Sequence, residues 1–259
     1  MNWNKKIGQA PGWGLAIIIA HVSAAHAGAF AVNPVRLTLS ATQMVAAVTV
    51  RNVGDEATVV QLETSSWTQH DGKDVLETTS EVLATPPILT IPPGGSRVVR
   101  VGLRRPPDPQ HELTYRLFLR EIPPPEPIAQ GLRVALLISM PVFVVPPHMP
   151  TPEIHWRAMR TPDGQIRVQA TNTGKSHVQL GQLDIAAAKG GDALASRSMS
   201  EYVLPDNSRE WTVDAKSAPP VGTLLSISSQ TDTGKVRSDV KLEEAARELN
   251  PTMPPTASR

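Results

Sequence analysis

The sequence predicts an all-β protein built from sandwich domains, on the strength of its composition and one local pattern. The 259-residue chain contains 25 prolines, many of them in pairs. Short runs rich in valine and threonine separate these prolines, which is typical of strands bounded by turns. Residues 131–146 also place apolar side chains at every second position, as a strand with one apolar face does.

The first residues have the layout of a secretory signal peptide. Lys5-Lys6 precedes a short apolar run, and small residues follow up to Ala25-His26-Ala27. The run is shorter than the ~20 residues that a membrane span requires. We therefore predict that residues 1–27 are a cleaved leader and that the exported chain starts at Gly28. A short membrane anchor is the alternative.

Composition restricts the partners and the chemistry. The formal net charge of +1 gives no indication of a nucleic-acid partner or of a strongly basic membrane contact. The chain has no cysteine, which excludes disulfides, thiol chemistry and cysteine-based zinc sites. An exported protein of this composition must be stabilised by its apolar core alone.

The predicted first domain spans residues 28–146. Turn residues separate its strands at Asn52–Asp55 and at Pro92–Gly95, and residues 123–127 form a proline-rich loop. The predicted strands are Ala29–Leu39, Met44–Asn52, Thr58–Trp67, Ser96–Leu103, Leu113–Ile122 and Leu132–Val145.

A stiff proline-rich linker at Pro146–Pro152 leads into a predicted second, smaller sandwich of residues 147–243. The similar segments Val50–Asn52 and Ala170–Gly174 suggest corresponding turns of two similar folds. A helical turn is expected at Glu243–Leu249, and the tail 244–259 is expected to be largely disordered. The predicted strands are Gln165–Asn172, Ser176–Ile185, Glu210–Val213, Leu224–Ser229 and Val236–Leu242.

Catalytic patterns are missing from the sequence. It contains neither a G-x-S-x-G motif nor a glycine-rich phosphate loop. Four glutamates offer material for a carboxylate pair, but a sequence cannot establish their separation. None of the seven histidines has a partner at metal-ligand spacing. We therefore expect no enzyme, no cofactor and no metal site. The glutamates are Glu63, Glu81, Glu112 and Glu121, and the histidines are His21, His26, His70, His111, His148, His155 and His177.

The strand within residues 131–146 has the features of a sheet edge. Pro141 cannot donate to a strand ladder and is tolerated mainly at edges or bulges. A long apolar edge strand invites aggregation, so a protein that keeps one can use it to pair with another chain. An ordinary core strand is the alternative. The apolar row consists of Leu132, Val134, Leu136, Ile138 and Met140.

A series of motifs between Phe30 and Pro146 resembles, in order, the periplasmic pilus chaperones of the chaperone–usher pathway, the PapD-like family. This resemblance implies two immunoglobulin-like sandwiches at an angle, with a cleft between them. It also implies a periplasmic protein that binds pilus subunits and delivers them to an outer-membrane usher. The motifs are Asn33–Arg36, Val50–Asn52, Ala84–Pro87, Pro93–Arg100, Tyr115–Pro123 and Leu132–Pro146.

The resemblance further implies donor-strand complementation, in which the chaperone lends its edge strand to a subunit that lacks a final strand. Main-chain hydrogen bonds give sequence-tolerant pairing, and the apolar row from Leu132 to Met140 fills the groove of the subunit. Five such side chains at ~1.5–3 kcal/mol each contribute on the order of 10 kcal/mol before association costs.

The resemblance assigns roles to several charged residues. Arg36 corresponds to the basic residue that binds the C-terminal carboxylate of a subunit. A second family lysine corresponds here to Pro141, and Arg133 lies eight residues away, or ~26 Å along a strand. Either Arg36 works without that lysine, or another cation such as Arg116 enters the cleft. An interdomain ion-pair network is expected from Arg100, Glu112 and Asp232.

Two other exported β proteins are alternatives. A pilus subunit or adhesin is usually one short domain with an N-terminal extension and often a disulfide, unlike this chain. A carbohydrate-binding sandwich needs a platform of exposed aromatic side chains. Aromatic residues make up only 4% of the chain, and Trp67, Trp156 and Trp211 lie far apart in the sequence.

Overall fold

The structure is a computed structural model that describes residues 30–123, 134–148, 151–190, 193–215 and 219–245. All regular elements of these residues are strands, and they form two sandwich domains, which confirms the predicted fold class. The predicted leader, Leu132 of the apolar row and the tail beyond residue 245 lie outside the described residues.

The first domain contains ten strands in two sheets around one core. They are β1 (Phe30–Asn33), β2 (Leu37–Leu39), β3 (Val45–Asn52), β4 (Thr58–His70), β5 (Lys73–Thr78), β6 (Val82–Thr85), β7 (Ile88–Ile91), β8 (Ser96–Leu103), β9 (Leu113–Ile122) and β10 (Leu137–Val144). One sheet has the order β1-β3-β8-β6. The other has the order β2-β10-β9-β4-β5, and β7 also pairs with β4.

Alternation along the strands builds this core. Tyr115, Leu117 and Leu119 of β9 are buried on one face, and Val48 and Val50 of β3 meet them from the other sheet. Successive side chains of a strand point to opposite faces, so the residues between these positions face outward. Each fully buried aliphatic side chain contributes roughly 1.5–3 kcal/mol.

The prediction of a single first strand, Ala29–Leu39, is wrong, because the segment divides between the two sheets. β1 pairs antiparallel with β3, whereas β2 pairs parallel with β10. Pro34 separates them, since proline has no amide hydrogen to donate to a ladder. The break places Arg36 immediately before β2, beside the edge of β10.

The second domain contains seven strands in one sheet that folds around a second core. They are β11 (Ile154–Arg160), β12 (Ile166–Asn172), β13 (Val178–Ala187), β14 (Ala193–Val203), β15 (Asn207–Val213), β16 (Leu224–Thr231) and β17 (Gly234–Glu244). The order is β14-β13-β16-β17-β11-β12-β15. Because β17 continues to Glu244, the helical turn expected from Glu243 does not begin there; residues 246–249 lie outside the described residues.

Two fully buried asparagines occupy equivalent turns of the two domains. Asn52 Nδ2 donates to the carbonyls of Glu56 and Ile91, and Asn52 Oδ1 accepts from the amide of Gly54. Asn172 repeats this arrangement with the carbonyls of Ser176 and Val203 and the amide of Gly174. The suggestion that Val50–Asn52 and Ala170–Gly174 are corresponding turns is confirmed by these matching hydrogen bonds.

We expect Asn172→Ala to lower the free energy of unfolding by about 3 kcal/mol, because it leaves buried carbonyls without a donor. Urea denaturation followed by tryptophan fluorescence measures this loss. Asn207→Ala is the control, since Asn207 donates only a local bond to the carbonyl of Pro205. Its cost should stay below about 1 kcal/mol, and equal costs for the two variants would contradict this role of Asn172.

Candidate functional site

The first half of β10 is an open sheet edge. β10 pairs with β9 along its whole length, from Leu137 to Val144. Its other side pairs with β2 only from Val142 to Val144. Among the described residues, Leu137–Pro141 therefore have a strand on one side only. The amides and carbonyls that face away from β9 along this stretch can pair with an added strand.

The side chains of the apolar row become more exposed from Met140 back to Val134. Met140 is 1% exposed, Ile138 and Leu136 are half-buried against the core, and Val134 is 52% exposed. The row lies on the face of β10 that carries the core residues Val142 and Val144. The open edge thus presents apolar side chains that extend the core of the first domain outward.

Arg36 reaches from this edge to the second domain. Its Nη1 lies 3.3 Å from Oδ2 of Asp232, and 41% of the Arg36 side chain is exposed. Arg36 precedes Leu37, the partner of Val142 in the parallel pair, so it lies level with Pro141. This side chain has one carboxylate partner and remains accessible from solvent.

Arg116 lies level with Arg36 and Pro141. It is the residue of β9 directly opposite Pro141. Its guanidinium carbon is 3.6 Å from the ring centroid of Trp67 and 5.7 Å from that of Tyr202. Burial lowers the pKa of Arg116, although an arginine stays protonated under physiological conditions. The aromatic rings hold this cation by cation–π attraction.

His177 joins two of the predicted network residues. Its Nδ1 lies 2.7 Å from Glu112 Oε1 of the first domain, and its Nε2 lies 3.6 Å from Asp232 Oδ2 of the second. The imidazole also stacks on Phe143 of β10, with centroids 3.6 Å apart. Burial opposes the charged imidazole, but the carboxylates of Asp232 and Glu112 outweigh it and raise the pKa of His177.

The structure does not bring Arg100 into this network, which corrects that expectation. Arg100 lies on β8 between the core residues Val99 and Val101, so its side chain points to the outer face of the other sheet. No ion pair links it to Glu112 or Asp232 among the described residues. His177 and Arg36 take its place.

A second set of contacts between the domains was not predicted. Gln69 Nε2 donates to the carbonyl of Tyr202, and Gln69 Oε1 accepts from the amide of Leu204. Arg209 pairs with Asp74 of the first domain and with Glu201 of its own. Trp67, Phe143 and Leu204 form a small apolar cluster beside these bonds. Polar and apolar contacts together hold the two domains against each other.

Other kinds of site are not found in the described part of the chain. Its histidines and carboxylates include no group of three or more able to hold a metal ion. None of its elements is a helix with the length and hydrophobicity needed to cross a membrane.

Comparison with known proteins finds a family match over the first domain. The family model of the PapD N-terminal domain, described as a pili and flagellar-assembly chaperone, matches residues 29–150. No curated protein matches the sequence.

Solved structures share the fold of most of the chain at low sequence identity. A chain of the CsuC–CsuE chaperone–tip adhesion subunit pre-assembly complex of Acinetobacter baumannii is 19% identical, with a TM-score of 0.61, and the match covers 84% of this chain and 100% of that one. The E. coli chaperone DraB is 20% identical, with a TM-score of 0.55 and coverage of 86% and 99%. A chain of the complex of Salmonella enterica SafA pilin with the SafB chaperone is 14% identical, with a TM-score of 0.57, and the match covers 83% of this chain and 98% of that one.

The raised pKa of His177 predicts a pH-dependent contact between the domains. Protonated His177 stabilises the folded state, so its contribution is fully present below the unfolded pKa of about 6.5 and disappears as the pH rises through the higher folded pKa. We expect the melting temperature to fall by about 2–4 °C across this window. Thermal melts between pH 5.5 and 8.5 measure the change.

His177→Gln should remove this pH dependence, because glutamine keeps a hydrogen-bond donor but does not titrate in this range. His155→Gln is the matched control, since His155 is exposed and contacts only residues of its own domain. A His177→Gln variant with the wild-type pH profile would show that other groups cause the dependence.

Proposed function

We propose that this chain, whose first domain matches the family model of the PapD N-terminal domain, is a pilus-assembly chaperone that binds pilus subunits in the periplasm by donor-strand complementation and passes them to an outer-membrane usher. The observation that carries this proposal is the open edge at Leu137–Pro141 with its apolar row. The binding element is assigned to Leu132–Met140.

Two features of the edge support strand donation. Main-chain groups facing away from β9 offer a ladder to any extended partner, regardless of its sequence. Leu136 and Ile138 leave part of their surface uncovered while they touch the core of the first domain. A subunit that lacks one strand exposes a complementary apolar groove, so the two cores can merge across the added strand.

The charges beside the edge support an anchor for the subunit. Arg36 is accessible, and its pairing with Asp232 holds it at the end of the open stretch. A charge-assisted hydrogen bond from Arg36 to the C-terminal carboxylate of a subunit would fix the register of the added strand. The contacts of Gln69, Glu112 and His177 keep the second domain beside this anchor.

The carbohydrate-binding alternative finds no support in the described residues. Trp67, Trp156 and Trp211 are all buried, so none of them offers a flat exposed ring to a sugar. The match to a chaperone domain likewise disfavours a pilus subunit or adhesin.

The double variant Leu136→Asp/Ile138→Asp should abolish co-purification with a co-expressed pilus subunit, because a carboxylate is costly to bury in an apolar groove. Leu137→Asp/Ser139→Asp is the matched control, with the same charges on the opposite face of the same strand. Affinity capture from the periplasmic fraction measures both. Normal capture by a folded Leu136→Asp/Ile138→Asp protein would disprove strand donation by this row.

Arg36→Ala should weaken subunit capture by about tenfold or more, because a charge-assisted bond contributes roughly 1.5–3 kcal/mol. Its melting temperature should change little, since a partly exposed ion pair adds about 1 kcal/mol or less to folding. Capture and a thermal melt of the same variant separate these effects. Unchanged capture would remove Arg36 from the site, and a collapsed melt would make it a structural residue.

A further inference from the structure

A carboxylate interrupts the apolar alternation at the end of β9. Leu117 and Leu119 are fully buried on the core face of this strand, and Glu121 is the next residue on that face. It pairs with the fully buried Val60 of β4, but its own side chain is only half-buried, at the rim of the sandwich. A carboxylate in such surroundings needs a hydrogen-bond donor.

The main-chain amide of Leu136 supplies this donor. Its nitrogen lies 3.0 Å from Oε2 of Glu121. The amide of Glu121 in turn donates to the carbonyl of Leu136 over 2.9 Å. Two residues that face each other in a hydrogen-bonded pair of an antiparallel ladder normally exchange two main-chain bonds. Here the carboxylate of Glu121 accepts the second bond in place of the main-chain carbonyl of the same residue.

This bond lies where the regular pairing of β10 with β9 begins. The register starts at Leu137, so Leu136 and Glu121 are the next opposed pair outside it. Val134, two residues further out, is 52% exposed. Leu136 is the outermost described residue of the apolar row that packs against the core of the first domain. The carboxylate thus holds the row at the limit of its contact with that core.

The position of Leu136 also decides which main-chain groups the open edge offers. The main-chain groups of successive residues in a strand point alternately to its two sides. Those of Leu136 point to β9, because they bond with Glu121. Those of Leu137 and Ser139 therefore face away from β9, toward the open side. Leu137 is the first of them after the bond to Glu121.

We propose that Glu121 is a positioning residue for strand donation, whose carboxylate holds the amide of Leu136 and thereby fixes Leu136 and Leu137 where a subunit strand pairs. This inference rests on the proposed function. Without the carboxylate, a single main-chain bond holds the segment that leads into β10, and the subunit must order this segment on binding. That ordering costs conformational entropy and weakens the complex.

Amide hydrogen exchange, followed by NMR on the isotope-labelled full chain, tests the contact itself. The amide of Leu136 should exchange about tenfold faster in Glu121→Ala than in the wild type, because the variant has no side-chain acceptor. Glu121→Gln should keep most of the protection, since the carbonyl oxygen of glutamine accepts the same bond. Unchanged protection in Glu121→Ala would overturn the proposal, because the main chain alone would then hold Leu136.

Subunit capture tests the consequence. Glu121→Ala should capture a co-expressed pilus subunit about fivefold less efficiently than the wild type, whereas Glu121→Gln should capture it almost normally. Glu63→Ala is the matched control. Glu63 lies on the neighbouring strand β4, is exposed, and accepts a side-chain bond from Gln61 rather than from β10. This control should match the wild type in both measurements.

The two measurements together separate positioning from a purely structural role. If Glu121→Ala speeds the exchange of Leu136 but leaves capture unchanged, the contact only stabilises the free protein, and the proposal is overturned while strand donation stands. If Glu121→Gln loses as much as Glu121→Ala, the hydrogen bond is not the cause, and the proposal fails in the same way. If the wild type captures no subunit, the strand donation on which the proposal rests fails as well.

Discussion

The short parallel pairing between β2 and β10 is the constraint on which the rest of the structure depends. It covers the outer side of β10 from Val142 to Val144 and leaves Leu137–Pro141 open. The covered half belongs to the core of the first domain, since Val142 and Val144 are fully buried. The open half continues the same strand and the same apolar face out of that core. The same strand is therefore paired on both sides at one end and on one side only at the other.

The second domain contacts this same strand, β10, through His177. Phe143 sits on the covered half of β10, and His177 stacks on it while bonding to Glu112. Asp232 then faces both His177 and Arg36. Ionic contacts between domains define a geometry more than they add stability, because desolvation offsets much of their attraction. The cluster thereby fixes where Arg36 lies relative to the open edge.

The sequence predicted the features that depend on neighbouring residues. Alternation identified the apolar row, and Pro141 indicated an edge, because both signals are local. It did not predict that Pro34 divides the first strand between two sheets, nor the short strands β5, β6 and β7, whose pairing is decided by the rest of the sandwich. Arg100 was placed in the interdomain network and His177 was not. The contact between His177 and Glu112 joins residues 65 positions apart, and no local pattern signals such a contact.

An open apolar edge also carries the risk that two copies pair with each other, and the structure limits this risk in three ways. Within the described strand β10, the stretch that is open on one side is five residues long before β2 closes it. Leu136 and Ile138 turn toward the core, so a second copy would meet half-covered side chains rather than a flat apolar surface. Two copies that paired edge to edge would also bring Arg36 and Arg116 toward cations of the other copy or toward uncharged backbone. Under the proposed function, a subunit strand that ends in a carboxylate would meet neither obstacle, because the groove of the subunit would cover the apolar row and the carboxylate would neutralise the charge. Under the proposed function, the open edge would therefore favour a subunit strand over a second copy of this chain.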